Sequence, residues 1–101
     1  MSRGQKDANQ AEIVAELTAA HLDVLDLSSV PRNLPELAGI PDLLVGGYHQ
    51  KWGIRINVLA EIKIEGGKIR LVQSDFSNWW RGVVIYAWTA DDILRAFGYD
   101  V

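Results

Sequence analysis

Residues 41–63 constrain the fold more than any other part of the chain. They contain two apolar runs, and the second of these, 56–62, is long enough for a strand that is covered on both faces. Glu61 and Lys63 interrupt the apolar character at the end of this run. Because alternate side chains of a strand share a face, the sequence places this carboxylate and this ammonium group side by side, with Ile62 pointing away.

A second acid enters the same region. Asp42 follows Pro41 at the start of the shorter apolar run, 43–45, which predicts a buried strand that tolerates proline at its first position. If the two runs pair as neighbouring strands, Asp42 approaches Glu61, and two carboxylates and one lysine converge at one end of a sheet. Two oxygen ligands with open water positions suit Mg²⁺, and the lysine can orient or help deprotonate an attacking water.

The remaining segments predict helices and strands that alternate along the chain. Apolar residues recur at helical spacing after Asp7, a suitable N-cap, whereas the polar residues 1–6 are expected to form a disordered tail. Gly46 and Gly47 open a predicted turn region that extends to Trp52, and Thr89 caps the last helix. The predicted elements are a helix over 7–20, strands over 22–27, 43–45 and 55–64, a helix over 71–80, a buried strand over 83–88 and a helix over 90–97. This order predicts an α/β domain in which a mixed sheet of about four strands has helices on both faces.

Composition limits the classes of function. The 101 residues are expected to form a single domain, and the absence of cysteine excludes disulfides, thiolate zinc sites and cysteine nucleophiles. No apolar run is long enough to cross a membrane, and the polar start has no signal-peptide core. A cytoplasmic protein without a membrane partner is therefore expected.

The charge is unevenly distributed. The net charge is −3, but residues 51–81 are locally basic, which permits phosphate binding. Lys51 and Arg55 are ordinary loop charges unless their loop borders a substrate. The candidate contacts to a nucleic-acid backbone are Lys51, Arg55, Lys68 and Arg70.

Several of these residues match the pattern of a known group of enzymes. Pro41-Asp42 followed by Glu61-Ile62-Lys63 on the next strand resembles the PD-(D/E)XK nuclease superfamily. Glu12 on the leading helix fits the inward glutamate of that pattern, and Gln73 fits the glutamine that opens the helix after the second strand. The sequence looks most like the stand-alone virus-type replication-repair (VRR-NUC) nucleases and the related phage Holliday-junction resolvases.

The resemblance implies a restriction-endonuclease-like core and a metal site. In this pattern Asp42, Glu61 and the backbone carbonyl of Ile62 bind Mg²⁺, for which Mn²⁺ can substitute. Glu12 takes part directly or through a water molecule. In that family, these ligands hold the metal ion that serves the hydrolysis of a phosphodiester bond.

The resemblance also implies how the remaining residues act. Lys63 would position the attacking water and stabilise charge on the phosphate, and Gln73 would orient Lys63 or contact the nucleic-acid backbone. The expected substrate is DNA, especially branched DNA such as a four-way junction. A homodimer would place two sites against two strands, with Trp79, Trp80 and the run 83–88 available for the interface.

Other interpretations of the same residues stay open. The fold can also serve a non-catalytic module that binds DNA or assembles with other proteins, or a structural domain in which these charges cluster by coincidence. Glu61 and Lys63 can form a plain ion pair, and Trp79 and Trp80 can belong to a core or an interface. His21 and His49 are too isolated in the sequence to indicate a metal pair.

Overall fold

Four strands form one mixed sheet, which is the centre of the structure. The computed structural model describes residues 3–101. Its helices are α1 (Arg3–Ala19), α2 (Leu71–Trp79) and α3 (Ala90–Ala96), and its strands are β1 (Asp23–Asp26), β2 (Leu43–Tyr48), β3 (Arg55–Ile62) and β4 (Val84–Ala87). The strand order is β1-β2-β3-β4, antiparallel for the first two pairs and parallel for β3 with β4.

One face of the sheet carries the hydrophobic core. Alternate residues of β2 and β3 point to this face, where α1 and α3 cover them. Leu17 and Phe97 are among its fully buried side chains, and both are large. The core cluster consists of Ile13, Leu17, Leu22, Leu43, Val45, Val58, Ala60, Ile62, Ala87, Ala90, Ile93 and Phe97.

Helix α2 covers the opposite face. Glu61 of β3 pairs in register with Tyr86 of β4, so both side chains point to this second face. The Tyr86 hydroxyl lies 3.2 Å from the Ser77 hydroxyl, and it donates to the Gln73 carbonyl at 3.4 Å. These contacts, together with the burial of Phe76, hold α2 beside the end of β3 where Glu61 lies.

The predicted order of helix, three strands, helix, strand and helix is confirmed, with different boundaries. Helix α1 begins at Arg3, so residues 3–6 belong to it and the predicted tail there is wrong; residues 1–2 lie outside the described part. Strand β4 was predicted to be buried but is mostly half-buried, because it lies at the edge of the sheet. Among residues 3–101, no helix has the length and apolar character of a membrane span.

The turn region predicted over 46–52 begins later than expected, at residue 50, because Gly46 and Gly47 continue β2. They pair in register with Asn57 and Ile56 of β3. A Cβ atom at position 47 would lie 2.4 Å from Cδ2 of Leu22, so glycine leaves room for the Leu22 side chain. The chain reverses later, where the His49 N–H donates to the Ile54 carbonyl.

At Gly39, the segment before β2 packs against the backbone of α2. Its φ angle is +76°, and a Cβ atom there would lie 2.0 Å from the Val72 carbonyl oxygen. This backbone-to-backbone approach has no room for a side chain. Asp42 lies three residues after Gly39, and Gln73 directly follows Val72, so the contact fixes the distance between two of the predicted site residues.

We expect Gly39→Ala to destabilise the protein far more than Gly53→Ala. Both glycines have positive φ, which costs alanine about 1–2 kcal/mol. A Cβ atom at position 53 has no neighbour within 4 Å, whereas at position 39 it would overlap backbone. The overlap adds roughly 1–3 kcal/mol. Urea unfolding of the two variants measures the difference, and equal losses of free energy would show that the segment moves away from α2 at no cost.

Candidate functional site

Asp42 and Glu61 meet at one end of the sheet. Leu43 of β2 pairs with Ala60 of β3, and one further step in this antiparallel register brings Asp42 opposite Glu61. The Oδ2 atom of Asp42 accepts a hydrogen bond of 2.8 Å from the Ile62 N–H. This bond orients the Asp42 carboxylate towards β3, so the register of the two strands determines the position of both acids.

The carbonyl of Ile62 belongs to the same side of β3. In an extended strand, the N–H and the C=O of one residue point to the same neighbouring strand. Since the Ile62 N–H points to Asp42 and the next N–H, of Lys63, points to the Ala87 carbonyl on β4, the Ile62 carbonyl faces Asp42. The carbonyl that was predicted as a third oxygen ligand therefore lies on the Asp42 side of β3.

Lys63 is buried next to these acids. Its Nζ atom donates to Oε1 of Gln73 at 2.7 Å and to the Lys68 carbonyl at 2.9 Å, and it lies 4.0 Å from Oε2 of Glu61. The side chain of Gln73 also accepts the N–H of Arg70, at the start of α2. Gln73 therefore fixes the first turn of its helix and the direction of the Lys63 ammonium group together.

Lys6 completes the cluster, and the sequence did not predict it. Its Nζ atom lies 3.1 Å from Oδ2 of Asp42 and 3.1 Å from Oε2 of Glu61, between the two carboxylates. Lys6 shares one side of α1 with Ile13 and Leu17, which are buried in the core. That helical spacing was a usable signal, but it was missed because the prediction assigned residues 1–6 to a tail.

Glu12 does not lie in this cluster, so its predicted inward position is wrong. Its side chain is exposed. Six residues separate it from Lys6, which at about 100° per residue places Glu12 roughly 120° away around the helix axis. The core residues Ile13 and Leu17 fix the rotation of α1, and that rotation directs Lys6 to the site and Glu12 to solvent.

The predicted nucleic-acid contacts divide into two groups. Arg70 lines a groove beside the carboxylates, and Lys68 meets the site through its carbonyl. Arg55 begins β3, six residues before Glu61, which places it about 20 Å away at the far end of the sheet. Lys51 lies in the turn that precedes β3, and its side chain pairs with the exposed Asp100. The structure therefore does not bring Lys51 and Arg55 to the site.

Burial and mutual charge shift the acid–base properties of the cluster. Burial, followed by the charge of Asp42, raises the pKa of Glu61 from 4.5 to about 7, although Lys6 acts in the opposite direction. Burial also lowers the pKa of Lys63. Burial alone would lower the pKa of Lys6, but the charges of Glu61 and Asp42 outweigh it and leave that pKa raised.

The cluster opens into a groove of about 1080 Å³. Its walls come from α1, from the segment before β2 and from the start of α2. Lys6, Arg32 and Arg70 contribute positive charge to these walls, and Asp42 and Glu61 lie among its lining residues. The Arg32 guanidinium donates to four backbone carbonyls of residues 27–40, which fixes that wall. Asp7 and Asp26 also line the groove, so the two carboxylates are accessible from a groove whose walls carry both signs of charge.

The residues present fit a hard divalent cation. Asp42 and Glu61 direct oxygen atoms at one common cation, Lys6, and the Ile62 carbonyl faces the same side. Within residues 3–101, no group of three or more His, Asp or Glu side chains could hold a metal. Two carboxylates and a carbonyl leave several positions for water, which is the arrangement that Mg²⁺ favours. Lys6 must move aside for such an ion.

No protein-family model, curated protein or solved structure matches the chain. The function is therefore inferred from the geometry and chemistry of the site.

The raised pKa of Glu61 leads to a pH-dependent stability. The folded protein holds the Glu61 proton more tightly than the unfolded chain does, so this contribution is complete below pH 4.5 and disappears as the pH rises through about 7. In metal-free buffer, the free energy of unfolding of the natural protein should therefore fall by roughly 3 kcal/mol relative to Glu61→Gln over this interval.

Urea unfolding at several pH values between 4.5 and 7.5 measures this difference. Glu16→Gln, which removes an exposed carboxylate from α1, is the matched control and should follow the natural protein at every pH. A constant difference between the natural protein and Glu61→Gln would contradict the raised pKa.

Proposed function

We propose that the protein is a metal-dependent nuclease that hydrolyses phosphodiester bonds of DNA, built on a restriction-endonuclease-like core. The observation that carries this proposal is the convergence of Asp42, Glu61 and Lys63 at one end of the sheet, with the Lys63 ammonium group 4.0 Å from Glu61 and fixed by Gln73. The order of the elements and the mixed sheet also support it. Buried charges in a groove with shifted pKa values are typical of catalytic sites.

The two carboxylates, Lys63 and Gln73 each have a defined role in this reaction. Asp42 and Glu61, with the Ile62 carbonyl, would hold Mg²⁺ or Mn²⁺. A divalent cation there supplies Lewis acidity, which stabilises negative charge on the phosphate and favours deprotonation of water. The buried Lys63 ammonium adds a second positive charge beside the same phosphate, and Gln73 prevents it from turning away.

The bond changes follow from in-line attack. The oxygen of water forms a bond to phosphorus, while the bond from phosphorus to one deoxyribose oxygen breaks. The water loses a proton, and the departing oxygen gains one, so a phosphate monoester and a hydroxyl end result. Lys63 lies where it can position the attacking water, because its Nζ atom already points to the end of the sheet where the acids lie.

The substrate we propose is branched DNA, bound by a homodimer. Arg32 and Arg70 line the groove and can meet phosphates there, but a single small domain has little surface for base recognition. Trp79 and Trp80 are about half exposed at the end of α2, where a second copy could cover them. A two-fold axis would then present two sites to the two strands of a four-way junction.

A non-catalytic DNA-binding or assembly module is the second candidate, and one observation favours it. Lys6 and Lys63 already balance the two carboxylates without any metal. In the described part of the chain, every buried side-chain nitrogen and oxygen atom has a hydrogen-bond partner. A cluster satisfied in this way can be purely structural.

Cleavage of a labelled four-way junction and its matched linear duplex, with Mg²⁺, with Mn²⁺ and with EDTA, tests the function. We expect metal-dependent nicks near the branch, and a loss of rate of at least about 100-fold in Lys63→Met, which keeps the side-chain volume but removes the charge. Asp100→Asn is the control, since it removes an exposed carboxylate far from the groove.

The possible results separate the proposals. Equal cleavage of both substrates would keep the nuclease and discard the preference for junctions. Metal-independent DNA binding without cleavage of any substrate would favour the non-catalytic module. A strictly monomeric mass in light scattering at high concentration would contradict the homodimer.

A further inference from the structure

The ammonium group of Lys6 lies where the two carboxylates converge. It is 3.1 Å from Oδ2 and 3.4 Å from Oδ1 of Asp42, and 3.1 Å from Oε2 of Glu61. A cation that binds oxygen atoms of both acids would lie between the same two carboxylates, where the Lys6 ammonium group lies. Lys6 and a divalent cation therefore require the same position.

The charges of the cluster also disfavour the presence of Lys6 and a divalent cation together. Asp42 and Glu61 are balanced by two ammonium groups, those of Lys6 and Lys63. A divalent cation added to this set would leave two uncompensated positive charges within a few ångströms, in a place where Glu61 is only 2 % exposed. Lys63 is buried and held by Gln73, so Lys6 is the group that can leave.

The structure gives Lys6 a route away from the acids. None of the side chains of residues 4–9 is buried, and one third of the Lys6 side chain is exposed. Lys6 also lines the groove, together with Asp42 and Arg70. A flexible lysine stem can therefore swing its ammonium group into the groove, where a phosphodiester backbone would offer it a new anionic partner.

We infer that Lys6 is a built-in competitor for the divalent cation: its ammonium group holds the carboxylates of Asp42 and Glu61 until a metal ion displaces it into the groove. The inference rests on the proposed metal-dependent function. Lys6 is a positioning residue, since it acts on the acids and on the accessibility of the cation site. It sets how tightly the protein holds its metal when no DNA is bound.

The test is isothermal titration calorimetry of the metal-free full chain with MgCl₂ and with MnCl₂, in the absence of DNA. Lys6→Gln removes the charge, and we expect it to bind either metal about tenfold more tightly than the natural protein does. Lys6→Arg keeps a cation in place and should retain the weaker affinity. Lys51→Gln is the matched control, because it breaks another lysine–carboxylate pair at the far end of the sheet.

Circular dichroism first establishes that each variant is folded, and Lys6→Glu gives a second reading if Lys6→Gln is not. Lys6→Glu brings a third carboxylate to the site, so it should bind metal more tightly still. Equal affinities of the natural protein, Lys6→Gln and Lys6→Arg would overturn the inference, as would the absence of metal binding in all of them.

Failure of the inference and failure of the proposed function give different results. Tighter metal binding by Lys6→Gln, without cleavage of DNA by the natural protein, supports the competitor and contradicts the nuclease. Metal-dependent cleavage by the natural protein, with unchanged metal affinity in Lys6→Gln, keeps the nuclease and rejects the competitor.

Discussion

The structure depends on the mutual neutralisation of two carboxylates and two ammonium groups at one end of the sheet. Glu61 and Lys63 are 2 % and 6 % exposed, and charges so deeply buried are unstable unless they are paired and hydrogen-bonded. The surrounding elements meet this requirement one by one. Asp42 accepts the Ile62 N–H, Gln73 and the Lys68 carbonyl hold Lys63, and Lys6 bridges the acids.

This requirement explains why the elements around the sheet are arranged as they are. Helix α2 must begin near the end of β3, because Gln73 caps its first turn and holds Lys63 with the same oxygen atom. Gly39 allows the segment before β2 to lie against the backbone of α2. Residues 4–9 in the first turns of α1 contribute no buried side chain to the core. Lys6 in these turns forms ion pairs with Asp42 and Glu61 instead.

The same cluster connects stability to the proposed chemistry. Burial, followed by the charge of Asp42, raises the pKa of Glu61, so the ionised acid is costly for a protein that only has to fold. A divalent cation would turn the arrangement into a favourable one, since it needs the two negative charges that the fold brings together. The raised pKa of Glu61, with Asp42 opposite it, therefore supports the proposed metal site.

The sequence alone determined the order of helices and strands and the meeting of Asp42 with Glu61. Periodicity indicates which residues share a face, and the register of two adjacent strands puts these acids opposite each other. These are local relations, or relations between strands next to each other in the chain, and patterns of apolar residues encode them well. The contact of Gln73 with Lys63 was expected from the motif resemblance instead.

Helical spacing puts Lys6 on the same side of α1 as the core residues, but only the tertiary structure decided that this side reaches the acids. The packing of Ile13 and Leu17 fixes the rotation of the helix, so that Lys6 faces inward and Glu12 faces solvent. It also decided that Lys51 and Arg55 lie at the far end of the sheet, and that Gly46 and Gly47 continue a strand. These outcomes depend on contacts between residues far apart in the chain, such as Lys6 with Glu61 and Leu22 with Gly47, which no local pattern specifies.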